Sequence, residues 1–128
     1  MYAFNVQLDL PIEEAIANLT AALADEKLGV VSDVDVQAIF KAKLGEAFRP
    51  YRILGACGPG LAKRIIAADP KAGALLPCTV VVQDNKDGTL ISFMDPVAVL
   101  KLAENPLIDE IAAEARAILE RVAHRLRA

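Results

Sequence analysis

The stretch TVVVQDNKDGTLISFM, residues 79–94, decides how this chain folds. Two runs rich in β-branched and apolar residues, Thr79–Gln83 and Thr89–Met94, flank DNKDG. Gly88 is available for the positive φ that a tight hairpin connection requires. A hairpin makes its two strands antiparallel neighbours. Asp95-Pro96 comes next and reads as an N-cap with proline at the first helical position, opening a helix to about Glu104. A last helix is predicted over 106–126. Its stripe is Ile108, Ile111, Ala115, Ile118 and Val122, widened by Ala112, Leu119 and Leu126.

Working toward the N-terminus, the run ILGACGPGLAKRIIAADPKAGALLPC, residues 53–78, carries both cysteines of the chain, each beside a proline or one residue from it. Arg49–Ala56 reads as a third strand, broken by Gly58-Pro59-Gly60. Leu61–Ala68 is a short helix, stopped by Asp69-Pro70 because the residue before a proline avoids helical dihedrals. Further upstream, Phe4, Val6, Leu8 and Leu10 alternate with Asn5, Gln7 and Asp9, the pattern of a half-buried strand over residues 2–10. Pro11 then opens a helix whose stripe is Ile12, Ile16, Leu19 and Leu23, with Lys27 and Gly29 as its stop. Residues 30–36 read as a second strand, with Val30, Ser32, Val34 and Val36 on one face and Val31, Asp33 and Asp35 on the other. A short helix over 36–44 has Asp35 as its cap and Gly45 as its terminator. The order β-α-β-α-β-α-β-β-α-α, with hairpin strands and no repeats or linkers, implies one α+β domain over residues 1–128. It would be a single antiparallel sheet with helices on one face.

A chain of 128 residues is long enough to bury a core without disulfide or metal staples. Hydrophobic residues make up 55%, and the mean hydropathy of +0.37 is high for so small a domain. The excess implies an apolar surface kept for an interface, so a homodimer is expected. Net charge −3 with few aromatics and no Trp argues against nucleic-acid binding. The arginines near the C-terminus are interleaved with Glu114 and Glu120 and suit a solvated helix end. No apolar run is long enough for a membrane helix. Met1 leads directly into a strand rather than a signal peptide, so a cytoplasmic protein with reduced thiols is expected.

Chemistry-bearing residues are few. Cys57 closes the third strand and Cys78 opens the fourth, so antiparallel neighbours would bring the thiols toward one corner. Free cysteine is most often a small buried hydrophobe. A thiol near a helix N-terminus can also be a nucleophile or ligand. Tyr51 shares the strand parity of Cys57, whereas Arg52 does not. With no CxxC or CxxH, and a tetrahedral zinc site needing more ligands than two cysteines, no metal or cofactor is expected. His124, the only histidine, lies opposite Ala115 on its helix and should face solvent. Asp33 and Asp35 share a strand face, where a carboxylate pair could do acid–base work. A polar outer face with Asp35 as a cap is the simpler reading. GPGLAK matches neither a Walker loop nor a dinucleotide fingerprint.

The motif formed by Tyr51, Ile53 to Cys57, Pro59, Ala62, Leu75 to Cys78 and Val80 to Val82 resembles that of the bacterial and archaeal domain-of-unknown-function family 302. GVVSDVDV upstream and Asp95-Pro96 downstream extend the resemblance over nearly the whole chain. It implies a TATA-binding-protein-like β-α-β(4)-α core with extra helices, in a homodimer, and it brings no agreed activity. Gly58 and Thr79 stand where the family commonly has asparagine, so a ligand held there would be held differently. The candidate ligand-binding residues are Cys57, Cys78, Tyr51, Gly58, Pro59 and Thr79. A small-ligand binding or sensor module is the leading expectation. A thiol-dependent redox enzyme and a purely structural homodimer with packed cysteines are the alternatives.

Overall fold

The computed structural model describes residues 1–128. Five strands, β1 (Ala3–Leu8), β2 (Gly29–Asp35), β3 (Tyr51–Cys57), β4 (Cys78–Asn85) and β5 (Gly88–Met94), form one antiparallel sheet in the order β1-β5-β4-β3-β2. The expected hairpin joins β4 to β5 with Asn85 opposite Gly88. Asn85 Oδ1 accepts the Asp87 N–H at 3.1 Å, and Gly88 takes φ +120°. That turn is packed tightly against the β1–α1 corner. A Cβ on Gly88 would lie 2.3 Å from the Leu8 carbonyl oxygen, and Thr89 Oγ1 donates to the Leu10 carbonyl at 2.7 Å.

The helices are α1 (Ile12–Asp25), α2 (Val36–Leu44), α3 (Pro59–Ala68), α4 (Pro96–Leu100) and α5 (Pro106–Arg127). The order is β-α-β(4)-α with α2, α3 and α4 added, the α+β architecture that the family resemblance implies. Alternation within the strands turns Val6, Leu54, Val80, Val82, Ile91 and Phe93 to one face, where they meet Leu19 and Leu23 of α1 and Leu119 and Val122 of α5. A second, smaller cluster gathers Ile65 of α3, Leu100 of α4 and Ile108, Ile111 and Ala112 of α5, with Ala72 between them. The N-terminal half of α5 thus serves the satellite core and its C-terminal half the main one. No helix is long and apolar enough to cross a membrane.

Several local expectations hold in detail. Helix α2 starts and ends as its residues predict: Asp35 Oδ1 accepts the Ala38 N–H at 2.9 Å, and Gly45 takes φ +67°. Asp95 caps α4 as expected, accepting the Val97 N–H at 2.9 Å, and Asn105, for which no cap was expected, accepts the Leu107 N–H at 2.9 Å to cap α5. Others are corrected. Lys27, not Gly29, takes the left-handed position after α1 (φ +61°), and Leu28 N–H closes the turn on the Leu23 carbonyl at 2.9 Å. Gly29 is left to open β2. The helix expected from Pro96 to Glu104 breaks into a 3-10 turn at Lys101–Ala103, ended by Glu104 at φ +51°. A further 3-10 segment, Pro70–Leu75, lies where no element was expected.

Strand β2 departs most from simple alternation. A bulge at Val31 sets Val30 opposite Ala56 but Ser32 opposite Gly55, so Val30 and Ser32 lie on different faces rather than sharing one. Asp33 and Asp35 keep their common face, toward the helices, opposite Leu54 and Arg52.

The sheet's other face has no helical layer in register with it. Its rows run Ala3–Met94–Thr79–Gly55–Ser32, then Asn5–Ser92–Val81–Ile53–Val34, then Gln7–Leu90–Gln83–Tyr51. Not one of these positions is Asp, Glu, Lys or Arg, although 24% of the chain is charged.

Candidate functional site

Antiparallel pairing sets Ala56 of β3 opposite Cys78 of β4, so Cys57 lies one step diagonally from Cys78. Both thiols are free and half-buried, and they form no disulfide. The corner is close-packed on the far side of the sheet. A Cβ on Gly55 would fall 2.3 Å from Ser32 Oγ and 2.5 Å from Pro77 Cγ, so only glycine lets Pro77 lie across the strand there.

At this end of the sheet the two cysteines line one pocket of about 290 Å³. Its walls come from Ala56, Cys57 and Cys78 at the sheet end, Leu61, Ala62 and Ile65 of α3, Leu100 of α4, and Ala115, Ile118 and Leu119 of α5. Ala56 and Leu119 belong to the main core and Ile65 and Leu100 to the satellite core. The pocket is therefore the seam between the two hydrophobic clusters, the kind of boundary at which small-molecule sites concentrate. Of its 17 lining residues 14 are hydrophobic, and the two thiols are their only titratable groups.

That environment acts on the thiols. Burial pushes the Cys78 thiol up to about 11, and the neighbouring Cys57 thiolate adds to the rise. Cys78 is therefore a neutral wall group at pH 7 rather than a nucleophile. The unfolded thiol ionises near its ordinary 9 while the folded one keeps its proton to about 11. Between those values the unfolded state binds fewer protons, so stability fully present below pH 9 is lost as pH climbs through 11. Urea unfolding of wild type is expected to weaken by about 1–3 kcal/mol over that window relative to Cys78→Ala. Parallel pH profiles for the two proteins would show that the thiol is not held neutral by the fold.

The other sequence candidates are distributed differently. Gly58 lines the thiol pocket, and Pro59 borders the adjoining cleft with Glu26, Lys27 and Glu114. Tyr51 and Thr79 do not join the cysteines. They open on the opposite face of the sheet, in a groove of about 550 Å³ with Asn5, Gln83, Ser92 and Met94. Tyr51 has the parity of Cys57 but occupies the other end of β3, where its ring meets Phe48 at 6.0 Å. Asp33 is held by Arg52, whose Nε donates to Asp33 Oδ1 at 2.8 Å, while Arg52 Nη1 reaches Glu13 of α1 at 3.2 Å. That guanidinium keeps the Asp33 carboxyl below its usual range. With Asp35 committed to its cap, the aspartate pair ties α1, α2 and the sheet edge together rather than forming an acid–base site. His124 is exposed, as its helical phase predicts. No group of three or more His, Cys, Asp or Glu side chains could hold a metal ion.

Residues not among the sequence candidates, notably Ala62, Leu100 and Ala115, build much of the pocket. The available signal was the alanine within the isoleucine and leucine stripe of α5, a place where a full-sized core would carry bulk.

The arrangement has a family. Residues 4–126 match the family described as Domain of unknown function DUF302. The chain belongs to the DUF302 family. It is also similar to a crystal structure of an uncharacterized conserved DUF302 protein from Bacillus stearothermophilus, with 28% sequence identity, a TM-score of 0.92 and 99% of each chain covered. No curated protein matches the chain. As a DUF302 protein it shares a fold with that neighbour, and a fold carries no activity with it.

Proposed function

We propose that this DUF302 protein is a homodimeric small-ligand-binding module of the cytoplasm whose site is the pocket walled by Cys57 and Cys78. One observation carries the reading: both cysteines of the chain line a single apolar pocket at the junction of its two cores. Binding is favoured over thiol catalysis because no general base lines the pocket and Cys78 is held neutral. The dimer is supported by the three cross-strand rows of the open face, which hold no charged residue and have the Arg49 guanidinium only at their Gln83–Tyr51 end. Charge depletion of this kind marks the centre of a protein interface. A reducing compartment suits two free thiols that make no disulfide.

Native mass spectrometry of protein purified without chelators or detergent tests both parts. The expected result is a dimer carrying an added small-molecule mass. Cys57→Ser and Cys78→Ser variants should fold and dimerise normally yet carry less of it. A dimer of bare chains whose thiols react only on unfolding would leave the cysteines as packing alone. A thiol titrating well below the ordinary thiol range would instead promote the redox-enzyme reading.

A further inference from the structure

We propose that the pocket takes an uncharged, hydrocarbon-rich molecule about two rings in size and rejects anions of the same skeleton. This inference rests on the reading of the pocket as a ligand site and adds its chemistry. The wall offers no hydroxyl, amide or charged side chain to pair with a polar ligand group, so a buried carboxylate or sulfonate would be desolvated with nothing in return. The same surroundings already hold Cys78 in its neutral form. In the adjoining cleft the carboxylates of Glu26 and Glu114 are already paired with Arg121, Arg125 and Arg64, so those guanidiniums are engaged rather than free to hold an anionic head group.

Volume sets the size. A hydrocarbon-lined cavity of about 150 Å³ accepts one benzene ring, so a pocket near 290 Å³ suits two. The space does not come from one truncated side chain. Short residues on four separate elements, Ala56, Ala62, Gly73 and Ala115, each stand back where a leucine would close it. The two sulfurs add polarisable contacts to a wall that contains no aromatic ring, and sulfur meets a ring edge favourably.

The probe is the uncharged two-ring dye 1-(dimethylamino)naphthalene, compared with its anionic analogue, 5-(dimethylamino)naphthalene-1-sulfonate, by fluorescence titration of the intact protein. The neutral dye is expected to bind one per chain and at least about tenfold more tightly than the sulfonate, a difference of about 1.4 kcal/mol. Ala62→Leu should weaken it by about tenfold or more while leaving cooperative unfolding intact, since Ala62 is only half-buried. Ala115→Leu should do the same from the opposite wall, and bound dye should slow alkylation of both cysteines. Equal or tighter binding of the sulfonate, still sensitive to Ala62→Leu, would overturn the ligand class while the pocket reading stands. Dye binding indifferent to both leucine variants, with alkylation unprotected, would place the dye elsewhere and overturn the inference. A ligand mass lost from the Cys57→Ser and Cys78→Ser proteins would, in that event, still support the pocket reading independently of the dye.

Discussion

Phe93→Ala is expected to destabilise the protein by about 3–5 kcal/mol and to lower its thermal midpoint by roughly 10–20 °C. Phe93 is fully buried on β5, between Phe4 of β1 and Val80 of β4 in register. Its ring stacks on that of Phe4 with centroids 5.2 Å apart and planes 13° from parallel. Truncation removes the ring's transfer energy, leaves a void among strands that cannot collapse independently, and strips Phe4 of its stacking partner. Phe93→Leu keeps most of the volume and should cost less than half as much. Chemical unfolding midpoints for the two variants check this directly. A loss below about 1 kcal/mol for the alanine variant would mean that the central strands repack freely. Phe93 does not line the thiol pocket, so the dye affinity of the surviving folded fraction should change little.

Gly88→Ala should be comparably severe, roughly 3–5 kcal/mol, although it adds only one methyl group. Two costs combine. The residue holds φ +120°, a region that side chains rarely enter, and the new Cβ would meet the Leu8 carbonyl oxygen at 2.3 Å, Asp9 Cα at 3.1 Å and Leu10 N at 3.2 Å. All three obstacles are backbone, so no rotamer change relieves them. Gly73→Ala is the matched control, because a Cβ there meets nothing within 4 Å. Equal stability of the two variants would show that the turn gives way at little cost.

Gly88 also shows which signals were legible before the structure. A turn residue with one physical role, such as Gly88, Gly45, Asp35 or Asp95, announces itself locally, and each does as its chemistry requires. Lys27 does not, because a lysine can be driven into the left-handed region by the packing of its neighbour, here Leu28 entering the main core. The bulge at Val31 was hidden for a related reason. An extra residue in one strand is set by its partner, and nothing in GVVSDVD distinguishes Val31 from its neighbours. The site divides along the same line. Strand ends carrying Cys57 and Cys78 could be placed from chain order, whereas the pocket beside them depends on how α3, α4 and α5 approach one another. That approach is a matter of side-chain volumes summed over elements far apart in the chain. Parity correctly separates Tyr51 from Arg52, and chain order puts Tyr51 and Cys57 at opposite ends of β3, but neither says that the two open on different cavities.

Strand β2 ends the sheet with one row of backbone donors and acceptors unmatched, a template on which other extended chains could grow. The irregularity at Val31 spoils its repeat, and in a parallel, in-register stack the carboxylates of Asp33 and Asp35 would meet their own copies. A chain this rich in valine and isoleucine thus carries its own guard against fibril growth at one of its two open margins. Straightening that margin by deleting Val31 would be a direct way to turn a self-limited fold into an aggregating one.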